Sequence, residues 1–311
     1  HLLSKNVMLY HDTSNHYIKD FSILTECDVL ISGPSTFVTA AGMMGKHKKI
    51  IHSKDFVEQF KEKDQEWYSS FGNGMFFHDL VIPSHEKDID TLDLCIEGIR
   101  KNVKDVGRVI VVSRNKLTDD AEFFPEEDLQ YSLEDVGEII GFHHKIFNYY
   151  ADLIEGTALM EIPDLSNDVL VCDSDTIFTR PVEFFDENGN ALYSPSYDIP
   201  KHVYSHPYLE HAEKMIPGLT KQTEYSGIVH HMLMQRNILG EIWDQVEERT
   251  GMPFWKATLT AATEDFKCLP TDKKIEDCPL RMTIYELYFN YVLKYHKENV
   301  ALRPLNSILA Y

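Results

Sequence analysis

Asp173 and Asp175 are the residues whose type and spacing could most directly do chemistry. They sit in the stretch DVLVCDSDTIF, residues 168–178. In an extended chain, residues two apart point to the same side, so both carboxylates can reach one point. Two like charges held that close are costly unless something positive neutralises them. Carboxylate oxygens are hard ligands suited to Mg²⁺ or Mn²⁺, and such a cation binds a diphosphate. It also stabilises the negative charge that develops when a diphosphate leaves. A nucleotide-sugar donor requires that chemistry.

Two other readings fit the same letters. VCDSDTIF matches the strand-D-x-D-x-T form of haloacid-dehalogenase-type phosphatases, with the first Asp as nucleophile and the second as acid. That motif usually opens its domain, whereas Asp173 lies deep within this chain, and no later G-D-x-x-x-D motif follows; TEDF at 263–266 is a weak substitute. The remaining reading is a strand end with two solvated aspartates.

The elements that must position the pair can be read from apolar spacing. Val169 to Cys172 form a continuous apolar run, the look of a buried strand that ends at the aspartates. Upstream, residues 78–84 read as a strand ending at Pro83-Ser84, followed by a helix with the stripe Leu92, Cys95, Ile96 and Ile99. A second strand is expected at Arg108–Val112. Strand, helix, strand is a βαβ unit and hence a parallel sheet. A helix around His144–Glu155 leads into the acidic strand. Ligands of open α/β sheets bind beyond the carboxyl ends of the strands, which places Ser84, Arg114, Asp173 and Asp175 on one edge. Asn188-Gly189 predicts a hairpin between two short strands. A short strand and then a helix from about Met232 are expected, and a last helix in YELYFNYVLKYH. Tyr285, Tyr288, Phe289 and Val292 would give that helix its apolar face, with Glu286 off the face near its start.

Residues 1–77 read as a smaller α/β segment. A strand is expected at Asp28–Ser32, then a Gly33-Pro34 turn, a helix capped by Ser35 or Thr36, and a strand at Lys49–His52. A Ser-Thr pair opening a helix can present hydroxyls and N–H groups to a phosphate, although an ordinary N-cap reads the same way. SSFGNG at 69–74 reads as a hinge.

Composition narrows the partners. The 311 residues carry 50 acidic against 30 basic side chains, a net charge of -20 that repels nucleic acid and anionic membranes. The 43% hydrophobic content suffices for a sizeable core. The five cysteines are scattered with no C-x-x-C pair, which fits reduced thiols and a cytoplasmic setting. No apolar run reaches the length of a membrane span and no signal peptide is visible. The chain opens with His1 rather than Met, which reads as a fragment.

From about residue 78 onward the chain resembles glycosyltransferases of the GT-A fold. The resemblance rests on IPSHEKD at 82–88, CDSDTIF at 172–178, VHHMLMQR at 229–236 and YELYFNY at 285–291, in that order. More narrowly it is similar to the bacterial and large-virus group, including the multidomain, xylosyltransferase-like enzymes of chloroviruses. Residues 1–77, with DVLISGPSTF, resemble the tail of a fucosyltransferase-like nucleotide-binding domain. The resemblance implies a Rossmann-like, mostly parallel mixed sheet flanked by helices, using Mn²⁺ or Mg²⁺ and a UDP-sugar. Xylose is the first donor expected and galactose or glucose the next, with a glycan or glycoprotein acceptor and further glycosyltransferase domains as partners.

The same resemblance assigns candidate roles. Asp173 and Asp175 would hold the metal, with His231 as third ligand. His230 and His231 are adjacent on an extended segment, so their side chains diverge and at most one ligates. Pro83, Ser84, Glu86, Arg114, Lys145, Asp173 and Ser174 would contact the donor. Inverting transfer needs one carboxylate to take the acceptor's proton, and Glu286 is the expected base, with Asp265 and Glu264 next. A Glu in a helix's first turn also gains simply from the helix dipole. The Tyr-, His- and Pro-rich residues 195–218 would form the acceptor side, aromatic rings stacking on sugar C–H faces. The different-class alternative is a non-catalytic carbohydrate-binding protein of the same fold.

Overall fold

Strand β6, Asp168–Cys172, is the element that must deliver the acidic pair, and its Val169, Leu170, Val171 and Cys172 are fully buried. A run without polar alternation is stable as a strand only when both faces are covered, which puts β6 inside a sheet. The structure is a computed structural model. It describes the backbone of residues 29–32 and 49–52, and residues 78–141, 144–196, 199, 206–264 and 280–304 in full.

The chain divides into two compact units, His1–Met75 and Phe76–Tyr311. In the first, β1 (Val29–Ser32) and β2 (Lys49–His52) pair in parallel, Val29 opposite Lys49. The Gly33-Pro34 turn, the Ser35 or Thr36 cap and the 69–74 hinge lie outside the described residues.

In the second unit, β3 (His78–Pro83), α1 (Ile89–Asn102) and β4 (Val106–Ser113) make the expected βαβ unit. Helix α1 buries Leu92, Cys95, Ile96 and Ile99, the stripe read from spacing. Then follow β5 (Glu122–Pro125), α2 (Leu133–Ile140) and α3 (Ile146–Glu161). After β6 come β7 (Ala191–Tyr193), α4 (Pro207–Met215), β8 (His231–Gln235), α5 (Arg236–Thr250) and α6 (Phe254–Thr263). Helix α7 (Ile284–Tyr295) and β9 (Val300–Leu302) complete the described elements. The central sheet has the order β5-β4-β3-β6-β8 and is parallel except for β8, which runs antiparallel to β6. β7 and β9 form a separate two-stranded sheet. The fold is α/β, with a mostly parallel central sheet flanked by helices.

Side chains at the far end of the sheet hold its register. Asp79 of β3 accepts from the Arg108 N–H of β4 at 2.8 Å and from the Ser166 N–H, two residues before β6, at 2.7 Å. Its neighbours leave no space there, because a Cβ on Gly107 would lie 2.5 Å from that carboxylate. Arg236, opening α5, donates to the carbonyls of Leu159 and Leu165 at 2.8 and 2.7 Å. A cation on the Leu159 carbonyl, in the last turn of α3, both satisfies it and matches the helix dipole. Helix α3 is thereby tied to the start of α5.

Three local expectations are corrected. Met232–Met234 belong to β8 rather than to a helix, because pairing with β6 buries all three side chains; the helix starts at Arg236. The Asn188-Gly189 turn is present, with Gly189 at φ 84° and the Asp186 carboxylate accepting from the N–H groups of Asn188 and Asn190. The strand after it, however, pairs with β9, and only a single bridge, Phe185 to Ala191, closes the expected hairpin. Helix α7 has no solvent face over its first three turns, since every residue from Ile284 to Leu293 is buried. Glu286 therefore lies inside the protein.

Candidate metal centre and adjoining cleft

Register decides which side chains gather at the end of β6. Cys172 pairs with His231 in the antiparallel ladder, and the ladder continues one residue further through the Asp173 N–H donating to the His230 carbonyl at 3.0 Å. Residues directly opposite in such a pair share a face, and the next pair takes the other face. His230 thus joins Asp173, and its Nδ1 lies 2.8 Å from Asp173 Oδ2. His231 is carried to the opposite side with Cys172, where its ring packs edge-on against Phe178 and Phe184 at 5.4 and 5.6 Å between centroids. Burial there lowers the His231 pKa to about 4, with nearby Arg303 adding to the effect. The expected ligand His231 gives way to His230.

Asp173, Asp175 and His230 each offer a ligand atom, all within 4.8 Å of one another. Two carboxylates and an imidazole on a half-buried to exposed sheet edge are a donor set that fits a divalent cation. Burial raises the Asp173 pKa, and the charge of Asp175 adds to it, while the His230 hydrogen bond opposes both. A bound cation reverses that sign, favouring the ionised pair. Asp173 also carries the buried thiols of Cys95 and Cys172 on its backbone carbonyl, at 3.6 and 3.5 Å. Those contacts fix the peptide from which its side chain projects.

A cleft of about 500 Å³ opens beside the cluster, lined in part by Asp152 and Glu155 of α3, Asp173, His230, Tyr208 and Tyr285. Asp152 and Glu155 are spaced i, i+3 and so share one face of α3. Burial pushes the Asp152 carboxyl up to about 7, against the opposing hydrogen bonds of the Ile284 N–H and the Thr283 side chain. It pushes Glu155 well above the usual carboxylate range, the charges of Asp152 and Asp173 adding to it. Neither acid was singled out in the sequence, yet their spacing on a predicted helix leading into the acidic strand was the available signal.

The other predicted residues distribute around this edge. Val81 pairs with Val171, so Pro83 and Asp173, each two residues further, end neighbouring strands at one level. Ser84 continues from there, its N–H donating to the Val112 carbonyl at 2.9 Å, and its buried hydroxyl has no partner among the described residues. Ser174 is buried beside Asp173. Glu86 accepts from Asn115 at 2.5 Å on the neighbouring loop. Arg114 is exposed after β4 and its charge acts on Glu126, so it belongs to the β4 end of the edge rather than the cleft lining. Lys145 is the residue preceding α3. Glu264 is exposed at the end of α6, and Asp265 lies outside the described residues.

Glu286 does not meet the cleft. Its Oε2 accepts from Ser226 Oγ at 2.9 Å and the Gly227 N–H at 2.8 Å, and its Oε1 accepts from Asn290 Nδ2 at 2.8 Å. Asn290 Oδ1 in turn accepts from the Gln222 N–H at 2.8 Å. Glu286 and Asn290, one turn apart on α7, therefore bracket the loop 222–227 that leads to His230. Both Glu286 oxygens are engaged and the residue is fully buried, which corrects its expected position beside an acceptor hydroxyl.

No protein-family model matches the chain, and no curated protein matches it in sequence. Among solved structures, the chain is similar to mouse xyloside xylosyltransferase 1 in its apo form, at 11% sequence identity and a TM-score of 0.38, covering 74% of this chain and 85% of that one. A superposition that loose carries no argument about activity. No helix among the described residues is long and apolar enough to cross a membrane.

Proposed function

We propose that residues 78–311 form a metal-dependent glycosyltransferase domain that moves a sugar from a UDP-sugar to a glycan or glycoprotein acceptor, with residues 1–77 a separate partial nucleotide-binding-like segment. The observation that carries this reading is the Asp173, Asp175 and His230 cluster at the carboxyl end of β6, opening onto a cleft of about 500 Å³. Carboxyl strand ends are where open α/β sheets bind ligands, and a cleft of that size is in the range that holds a small molecule.

Asp173, Asp175 and His230 would hold Mn²⁺ or Mg²⁺, which when bound supplies the charge neutralisation a departing diphosphate needs. Pro83, Ser84 and Ser174 sit level with the metal ligands and would contact the nucleotide. With Glu286 engaged elsewhere, Glu155 replaces it as the base of an inverting transfer, being a cleft-lining carboxylate next to Asp173 with a raised proton affinity. Xylose is the first donor sugar and galactose or glucose the next, assignments that rest on the sequence resemblance, as does kinship with large-virus multidomain enzymes; the cytoplasmic setting rests on the scattered cysteines.

The test is a thermal-shift series on the full chain with UDP, UDP-xylose, UDP-glucose and UDP-galactose, with and without Mn²⁺. Ligand at a hundredfold excess over Kd stabilises by about 2.7 kcal/mol, which such a scan resolves. Stabilisation that needs both nucleotide and Mn²⁺, and that disappears in Asp175→Asn, is expected. Metal-independent binding, unchanged binding in that variant, or turnover of a simple phosphomonoester in place of a nucleotide-sugar would refute the assignment.

A further inference from the structure

Two residues in the wall of the cleft each carry a polar atom left unused among the described residues. Tyr285 is 4% exposed and its hydroxyl has no hydrogen-bond partner among the described residues. Asp152 Oδ2 is likewise buried without a partner among them. Both residues line the cleft that begins at Asp173 and His230. A buried hydroxyl and a buried carboxylate oxygen are each expected to be paired, so two orphans on residues that line one cleft call for a common explanation.

Their positions are fixed from behind. The other oxygen of Asp152 accepts from the Ile284 N–H, the first residue of α7, at 3.1 Å. Tyr285 is the next residue along, on the same turn of helix. The N-terminal end of α7 favours the ionised form only in part against burial, so the carboxyl stands near the balance between neutral and ionised at about pH 7 and does not demand a cation. In the ionised form its remaining oxygen can serve as an oriented acceptor for neutral donors. The Tyr285 hydroxyl can both donate and accept, which complements adjacent hydroxyls that do the same. Tyr149 and Tyr208 line the same cleft and offer flat faces to C–H groups.

We infer that Asp152 and the Tyr285 hydroxyl form a subsite that binds neighbouring hydroxyl groups of a neutral sugar ring, and so select the sugar rather than the nucleotide. This inference deepens the glycosyltransferase reading and rests on it for its biological meaning. The binding chemistry itself does not need the nucleotide. A hydroxyl of the ring takes Asp152 Oδ2 as acceptor, and its neighbour pairs with the phenol.

The experiment uses the full chain and two probe sets. Methyl xyloside, methyl glucoside and methyl galactoside are titrated by saturation-transfer NMR without nucleotide, at a pH about one unit or more above the Asp152 pKa of about 7. UDP and the matching UDP-sugars are titrated by calorimetry with Mn²⁺. The variants are Tyr285→Phe, which removes only the orphan oxygen, and Asp152→Asn, whose amide oxygen can keep the bond to Ile284. Cooperative melting of both variants well above the temperature of the titrations establishes that they fold. We expect wild type to bind at least one glycoside and both variants to bind it about tenfold more weakly, the scale of one or two lost hydrogen bonds. UDP affinity should stay within about twofold in both variants, so that the gain of UDP-sugar over UDP is what they lose. Glycoside binding equal to wild type in both variants would overturn the subsite, as would a wild type that binds no glycoside and does not distinguish UDP-sugar from UDP. Glycoside binding that is lost in the variants, in a chain that binds no UDP, would support the subsite and sink the glycosyltransferase reading instead.

Discussion

Replacing Glu286 by glutamine separates a structural carboxylate from a catalytic one. Three donors converge on its two oxygens: the Ser226 hydroxyl and Gly227 N–H on one, the Asn290 amide on the other. Glutamine offers one acceptor oxygen and one NH₂ group. If the oxygen faces Ser226 and Gly227, the NH₂ group meets the Asn290 NH₂ and two buried donors oppose each other. If it is flipped, the Gly227 N–H loses its acceptor. A buried donor without a partner costs about 1–3 kcal/mol, and weakening charge-assisted bonds to neutral ones removes roughly another 1 kcal/mol. The site cannot easily relax, since a Cβ on Gly227 would lie 2.4 Å from Phe289 Cβ and 2.8 Å from the Tyr285 carbonyl. Glu286→Gln should thus destabilise the fold by about 2–4 kcal/mol, a fall in Tm on the order of 5–10 °C for a domain of this size. Differential scanning calorimetry and a urea titration measure it. Below the lowered Tm, transfer should fall no further than the shift of the 222–230 loop dictates. A Glu286→Gln protein that melts within a degree of wild type yet loses transfer a hundredfold would refute this reasoning and restore the carboxylate as a base.

Three further outcomes follow from the same geometry. His230→Ala should weaken Mn²⁺-dependent nucleotide binding roughly tenfold or more with little change in Tm, whereas His231→Ala should leave that binding intact and lower stability by about 1–3 kcal/mol through lost packing on Phe178 and Phe184; equal effects on binding would contradict the parity argument. In metal-free protein the Asp152 carboxyl, raised from 3.8 to about 7, holds a proton that the unfolded chain gives up, so its contribution to stability is complete below pH 4 and is lost as pH rises towards 7. Urea midpoints across that window should decline less steeply in Asp152→Asn, and an unchanged slope would show that another group is responsible. Gly227→Ala should cost about 1–3 kcal/mol or more by overpacking against Phe289 and the Tyr285 carbonyl, and wild-type stability would mean that the 222–227 loop can move away from α7.

Much of the architecture was legible because it depends on local patterns. The apolar run Val169–Cys172, the α1 stripe and the Gly189 turn each obey rules of spacing and backbone sterics, and they occur where those rules place them. The failures share one cause. Met232–Met234 could be a buried strand or a buried helix by composition, and pairing with β6 decided it. Helix α7 reads as amphipathic when Tyr285, Tyr288, Phe289 and Val292 are counted as one face, because Glu286 and Asn290 then look like solvent residues. Inside the protein those two polar groups satisfy each other and the 222–227 loop. A polar pair at i, i+4 within an otherwise apolar helix was the available sign that burial with partners competed with exposure.

The candidate site shows the same division between what spacing carries and what register carries. D-x-D spacing suffices to bring Asp173 and Asp175 to one side, since extended geometry alone requires it. It says nothing about which histidine joins them. HH is symmetric in composition, and a shift of one residue in the β6–β8 pairing would exchange the roles of His230 and His231. What fixes the register lies at the other end of β8. Gln235 closes the ladder opposite Asp168 and donates to its carboxylate at 3.0 Å, while the Gln235 N–H donates to the Tyr288 hydroxyl at 2.7 Å. The Arg236 N–H then donates to the Asn167 carbonyl at 2.7 Å. Those contacts pin the far end of β8, and an unbroken ladder of five pairs carries the parity to His230. Tyr288 belongs to the same helix that supplies Glu286 at the other end of the segment. α7 therefore clamps β8 through Tyr288 and the preceding loop through Glu286 and Asn290, and both clamps act on the one imidazole that meets Asp173. The YELYFNY motif serves the candidate metal centre by setting register, without supplying any of its three side chains.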